Sequence, residues 1–423
     1  YMDRPLFFDY LIIGGGVAGV TAAETIRSLD NHSSILIISR EEHPLYSRVL
    51  LPSYIRGKIA REKVFLRSWD QYQKLRIDIA THVEVLGINF ETREVVTSRD
   101  EKIAFGKLLI STGGAPRGWR VNGSELGNIF RMQTIEDADK IHEAVPALAS
   151  GVDRGALVIG GGFIGLEFME TARHYGFETH LFLKDKQMFG DDLDDAGWQI
   201  LSDNFKRNRV TIHESTELKY LSTSPDHFLI GHTNASEEIG GSWLGLGIGV
   251  ERNVTPFAVP GLDIKQGIVT NQFLETSISK VWAAGDVAEY FDVSFDEHRM
   301  IGNWTSAFLQ GRVAGANMVA KHDEKTELRT VSSYSITNFG YQLTFVGKTS
   351  PGEGIESITR TWPDNPNAYE RLFLKGGWVQ GAILINRFLD KAAITKLISS
   401  RKDLTSAKES LRDPYVDLSS LSA

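Results

Sequence analysis

The same glycine-punctuated unit occurs twice in this chain, and that repeat restricts its fold more than any other feature. The apolar run Tyr10-Leu11-Ile12-Ile13 leads into Gly14-x-Gly16-x-x-Gly19, a helix-compatible stretch from Val17 to Leu29 and a second apolar run from Ile35 to Ile38. Ala156-Leu157-Val158-Ile159, Gly160-x-Gly162-x-x-Gly165, a helix-compatible stretch from Phe163 to Tyr175 and a run from Thr179 to Leu183 repeat the design. Strand, tight turn, helix and parallel strand make a βαβ unit. In such a unit the first glycine makes the turn, the second lets the backbone approach a pyrophosphate, and the third lets helix and strand pack closely. One match is weak, because glycine loops often merely turn the chain. Two copies with the same flanks predict two dinucleotides, or one dinucleotide and a degenerate site.

Further strands end in glycine at Leu108-Leu109-Ile110-Ser111-Thr112-Gly113-Gly114 and at Val281-Trp282-Ala283-Ala284-Gly285-Asp286, and a strand-like run reaches from Gly245 to Gly249. Thr305 to Ala320 is helix-like. From about Thr330 the texture changes to short β-like segments around Leu343 to Val346, Leu372 to Leu374 and Val379 to Ile385, followed by a helical Leu389 to Ser399. The expected class is therefore α/β, with two Rossmann-like dinucleotide-binding domains and a smaller C-terminal α+β domain. The boundaries fall at 1–117 with 246–325 for the first domain, 118–245 for the second, and 326–423 for the third.

Several chemistries are excluded by count. The 423 residues contain no cysteine, so disulfides, thiolate zinc sites, cysteine-ligated iron–sulfur clusters and redox thiols are absent. A net charge of −8 provides no global positive field for nucleic acid. No run approaches the roughly 18 uninterrupted apolar residues of a membrane span, and no basic region with an apolar core opens the chain. A cytoplasmic protein is expected. Tyr1 before Met2 reads as an added residue, with Met2 as the natural start. The eleven histidines are scattered, with His174 and His180 on different expected elements, and no metal site is expected.

After each βαβ unit an acid suits a ribose hydroxyl, and a base suits an NADP 2′-phosphate. The first unit offers Glu41 in Ser39-Arg40-Glu41-Glu42. The second offers Lys184-Asp185-Lys186, in which the lysines fit NADPH and Asp185 fits NADH.

These residues resemble the family of FAD-dependent pyridine nucleotide oxidoreductases. The likeness is to its cysteine-independent branch of rubredoxin and ferredoxin reductases, the NADH-oxidising module of nitrite reductase and apoptosis-inducing-factor-like proteins. Beyond the glycine loops it rests on the strand ending in Thr112-Gly113, on Gly249-Val250-Glu251-Arg252-Asn253, and on Ala283-Ala284-Gly285-Asp286-Val287-Ala288. The resemblance implies that Asp286 holds the ribityl chain of FAD, although aspartate here is also an ordinary helix N-cap. It implies that Arg48, in Pro44-Leu45-Tyr46-Ser47-Arg48, meets the FAD pyrophosphate. It also implies that Glu167 lies on the nicotinamide side and that Trp304 lies near the flavin. Ser53 stands where thiol-using relatives carry a redox cysteine and where some ferredoxin reductases carry lysine. Asn303 replaces an acid usual before the tryptophan.

The function so implied is hydride transfer from NADH or NADPH to FAD, with electrons passed to a small carrier such as rubredoxin or ferredoxin. Oxidase or diaphorase activity with oxygen or quinone, a slow redox-signalling flavoprotein, and a reductase subunit of a larger complex are the alternatives. The third domain resembles the family's interface domain, which packs beside the flavin or forms dimer contacts, and a homodimer or a subunit of a complex is expected.

Overall fold

The computed structural model describes residues 6–151, 155–226 and 228–422. Tyr1 and Met2, on which the expected chain start rests, lie outside the described residues. The chain forms two compact units. The first takes the described parts of Tyr1–Val49 with Ala60–Ala115 and Val250–Thr330. The second takes Leu50–Ile59, Pro116–Gly249 and Val331–Ala423.

The first unit is built on a seven-stranded sheet. Asp78–Ala80, Ile35–Ile38, Leu6–Ile13, Lys102–Ile110 and Val281–Ala283 run parallel in that order. Val85–Asn89 and Glu94–Thr97 add an antiparallel pair. Alternation splits the parallel strands between two cores. Ile12, Ile37, Leu109 and Trp282 enter one, while Leu11, Leu36, Leu108 and Val281 enter the other. Both faces are buried, which is why these strands read as unbroken apolar runs.

The helices Val17–Leu29 and Trp304–Val319 pack on the first of these cores. They approach closely because small residues face each other. A Cβ at Gly311 would lie 2.2 Å from the Ala18 carbonyl oxygen, and one at Gly315 would lie 2.6 Å from that of Ala22.

In the second unit Val210–His213, Glu178–Phe182, Gly155–Ile159, Trp243–Leu246 and Ile129–Phe130 form a parallel sheet in that order. The strand-like run reaching Gly249 stops pairing at Leu246. There Gly247 turns across the start of the glycine loop, so close that a Cβ on Gly160 would meet its carbonyl oxygen at 2.1 Å.

Residues 331–423 lie in this same compact unit. They form an antiparallel sheet ordered Ser333–Asn338, Tyr341–Gly347, Trp378–Ile385, Asn365–Lys375 and Ile355–Trp362. Asp194 joins this sheet to a helix of the unit. It caps the helix Asp195–Arg207 through the Gly197 amide, and it also accepts hydrogen bonds from Thr359 and, at 3.0 Å, from the Tyr369 hydroxyl. Among the described residues no helix is long and apolar enough to cross a membrane.

The C-terminal sheet buries an arginine–glutamate pair. Arg360 and Glu370 stand directly opposite on neighbouring strands, with Nη1 and Oε2 2.7 Å apart, and Arg360 Nη2 donates to the carbonyls of Asp413, Pro414 and Val416. Burial, and then the neighbouring Asp390 carboxyl, push the Glu370 carboxyl up to about 8 against the charge of Arg360. The folded state therefore holds this proton more tightly than the unfolded state. Stability falls as pH rises from the ordinary glutamate range through about 8. Glu370→Gln, neutral throughout, is expected to flatten that decline. Urea unfolding at pH 5 and pH 8.5 checks this, and an unchanged difference between the two would refute it.

Candidate functional site

The carboxyl ends of the parallel strands gather the expected site residues of the first unit. Ile38, Ile13 and Ile110 end in register, and the next residues are tied across the sheet. Gly14 N donates to the Ile38 carbonyl, Ser111 N to that of Ile13 and Ala284 N to that of Ile110. A carboxyl edge at which neighbouring connections part to opposite faces is where ligands bind in open α/β sheets.

Each expected glycine has a distinct physical role. Gly14 adopts φ 116° and its Cβ position is blocked at 2.2 Å by the Ser111 carbonyl oxygen. A Cβ at Gly19 would fall 2.0 Å from the Gly14 carbonyl oxygen. Nothing lies within 4 Å of a Cβ built on Gly16. The second unit repeats all three. Gly160 has φ 129° and packs against Gly247, a Cβ at Gly165 would fall 2.3 Å from the Gly160 carbonyl oxygen, and Gly162 faces open space.

The helices that begin at these loops lack side-chain caps. Gly16 and Gly162 are their N-caps, whereas Thr134, Asp194 and Asn303 cap other helices with side-chain oxygens. The leading N–H groups are thus left for an anion at the positive end of the helix dipole, beside a space no Cβ fills. Both loops fit a dinucleotide pyrophosphate.

Gly285 turns the strand Val281–Ala283 outward, and its amide is held by Gln310 Oε1 at 2.8 Å. Asp286 follows. Its carboxylate receives no hydrogen bond from the described residues, and burial raises its pKa while the charges of Arg252 and Arg48 pull it back. Such an acceptor suits the hydroxyls of a sugar-like chain. The helix that follows the Gly-Asp turn is capped by Asn303, so Asp286 is not its N-cap.

Glu41 and Arg48, expected at a ribose and a pyrophosphate, meet each other here. Arg48 Nη2 lies 2.5 Å from Glu41 Oε1, and the Tyr46 hydroxyl donates to Glu41 Oε2 at 2.5 Å. The Thr112 hydroxyl bonds the Asn253 carbonyl at 3.3 Å, tying the turn at Gly113 to the segment after Gly249. The Gly249 carbonyl accepts from the Arg117 amide. Trp304 is half-buried against the first unit's core and is in part a packing residue.

In the second unit, Glu167 lies in the helix Phe163–His174, one turn beyond the glycine loop. Its Oε2 is 2.8 Å from Arg56 Nη1, and both side chains are largely buried. Burial raises the Glu167 pKa and the Arg56 hydrogen bond and charge oppose it. Arg56 is held in place by its neighbours. The Tyr54 hydroxyl bonds Asp139 at 2.7 Å, and the Ile55 carbonyl accepts from the Tyr175 hydroxyl at 2.8 Å. Sequence reading missed Arg56, whose only signal was its place three residues beyond Ser53. Lys184, Asp185 and Lys186 are exposed, and their side chains engage no other described residue.

Comparisons with known proteins agree with this geometry. A family model described as pyridine nucleotide-disulphide oxidoreductase matches residues 8–311. The assimilatory nitrate reductase electron transfer subunit of Bacillus subtilis (strain 168) is 23% identical over 96% of this chain and 51% of its own length. Putidaredoxin reductase CamA of Pseudomonas putida is 26% identical over 93% of this chain and 92% of its own. The chain spans about half the length of several such relatives. Among solved structures, the ferredoxin reductase for the CYP199A2 system from Rhodopseudomonas palustris superposes with a TM-score of 0.87, covering 98% of this chain and all of that one at 23% identity. It has the same fold.

Removing Arg56 isolates a buried carboxylate. Arg56→Met is expected to cost about 3 kcal/mol at neutral pH, and Glu167→Gln in the same chain to restore most of it. Chemical denaturation of the two singles and the double checks this; equal losses in Arg56→Met and the double variant would refute it.

Proposed function

We propose a function that proceeds from family: this chain belongs to the pyridine nucleotide-disulphide oxidoreductase family. FAD and NAD(P)H are the cofactors of that family. The reading is an FAD-dependent reductase that oxidises NAD(P)H and delivers electrons to a small carrier such as rubredoxin or ferredoxin. The pair of open, uncapped glycine loops carries it. The likeness to putidaredoxin reductase over nearly the full length of both chains supports a protein carrier. With no cysteine, nothing in this chain can form the redox disulphide of the family's name.

In this reading residues 1–117 and 246–325 hold FAD, residues 118–245 hold the nicotinamide nucleotide, and residues 326–423 form an interface domain. Bound flavin supplies the hydride acceptor and the route by which electrons leave in single steps. Gly14, Gly16 and Gly19 admit its pyrophosphate to the helix end, where Arg48 adds positive charge. Glu41 accepts from the ribose and Asp286 from the ribityl hydroxyls. Thr112, Gly113, Gly249 and Gly285 shape the turns around it. Gly160, Gly162 and Gly165 do for the second nucleotide what the first loop does for FAD. Glu167 orients the carboxamide and excludes water, Arg56 opposes the effect of burial on Glu167, and Trp304 borders the flavin.

The internal repeat supports NADH as the donor. Ser39 lies against Gly15 as Leu183 lies against Gly161, which matches Asp185 to Glu41 two residues further on. The reading includes a cytoplasmic location and assembly as a homodimer or within a larger complex.

Asp286→Ala is expected to weaken FAD retention about tenfold or more, since a hydrogen bond to a charged group is worth about 1.5–3 kcal/mol. Flavin fluorescence on dilution measures it, and unchanged retention removes Asp286 from the site. Anaerobic stopped-flow with NADH and then NADPH tests the reading as a whole. Rapid flavin bleaching, reversed on adding rubredoxin or ferredoxin, is the expected result. Reoxidation by oxygen or quinone at the full rate would replace the carrier with those acceptors, and no bleaching by either nucleotide would overturn the reading.

A further inference from the structure

The first strand of the C-terminal sheet, Ser333–Asn338, is fastened to the helix that starts at the second glycine loop. Asn338 Nδ2 donates to the Leu166 carbonyl at 2.9 Å, and the Phe339 amide donates to Glu170 Oε2 at 2.7 Å. Side chains alternate along a strand, so Tyr334, Ile336 and Asn338 share one face. Four residues at about 3.3 Å each carry that face about 13 Å along the strand. Asn338 meets Leu166, and Tyr334 meets Phe163, the first residue of the same helix, with ring centroids 4.2 Å apart. Phe163 also packs against Phe189 and Phe345, at 5.2 and 5.1 Å, so aromatic neighbours hold the Tyr334 ring at the glycine loop.

The Tyr334 hydroxyl has no hydrogen-bond partner among the described residues. Burial, and then the negative charge of Glu167, push this phenol up to about 12. It remains an O–H donor at every working pH. A donor held this firmly, half-buried and unmatched within the described residues, can donate to a bound ligand.

We propose that Tyr334 binds the nicotinamide half of the dinucleotide, donating a hydrogen bond to its carboxamide; this rests on the second glycine loop being the nicotinamide nucleotide site. The direction follows from the helix end. A pyrophosphate there sends its adenosine toward the strand end at Lys184 and Asp185. The other half therefore passes Phe163 on the way to Glu167, and Tyr334 stands beside both.

The test compares ligands that share everything except the nicotinamide. Oxidised holoenzyme and its Tyr334→Phe variant, which keeps the ring against Phe163, are titrated calorimetrically with NAD+, NADP+ and ADP-ribose. The expected result is a loss of about five- to tenfold in affinity for the preferred dinucleotide and none for ADP-ribose. Equal losses for both ligands would assign Tyr334 a structural role and overturn the proposal, as would no loss for either. If the unaltered protein binds none of the three ligands, the nucleotide site itself falls and the proposal falls with it.

Discussion

Each compact unit depends on one close approach at the carboxyl edge of its parallel sheet. The first residue after the central strand must turn against the backbone of the neighbouring crossover, and no Cβ fits in between. At Gly14 the obstacle is the Ser111 carbonyl oxygen, and at Gly160 it is that of Gly247. The following helix can then start directly beneath the strand end, with the third glycine packed on the first. The leading amide groups point into a space that no side chain fills. Dense backbone packing and an open anion site are thus two consequences of the same missing atoms.

Three carboxyls show how environment separates residues of similar chemistry. Asp286 faces cations without a hydrogen-bond donor and remains available to hydroxyls. Glu167 is buried but directly paired, which opposes the effect of burial on its ionisation. Glu370 is fully buried beside the Asp390 carboxyl, and burial raises its pKa to about 8 despite the charge of Arg360. The decisive difference is the balance between desolvation and the partner supplied by another strand or segment. The third pairs with Arg360, which fastens the chain's last segment through the carbonyls of Asp413, Pro414 and Val416.

The C-terminal sheet is also more than an appendage to its unit. Asp194 links it to the helix Asp195–Arg207, while Asn338 and Phe339 fasten it to the helix after the second glycine loop. These are polar contacts between residues far apart in the chain, and they fix where Tyr334 stands.

The sequence by itself determined the elements whose physics is local. The helix Val17–Leu29 and the strand Ile35–Ile38 occur within the predicted bounds, because apolar continuity and glycine spacing report burial on both faces and an obligatory tight turn. The same holds for the glycine roles at 14, 16 and 19 and at 160, 162 and 165. Only the tertiary structure decided the end of pairing at Leu246, the pairing of Glu41 with Arg48, the partner of Glu167 and the place of Tyr334. Each depends on a residue brought near from a distant part of the chain or by a side chain's reach. Arg56 and Glu167 are 111 positions apart, and no periodicity or spacing records a contact of that kind. Local steric rules are written residue by residue, whereas charge partners and unmatched donors exist only once the chain has closed on itself.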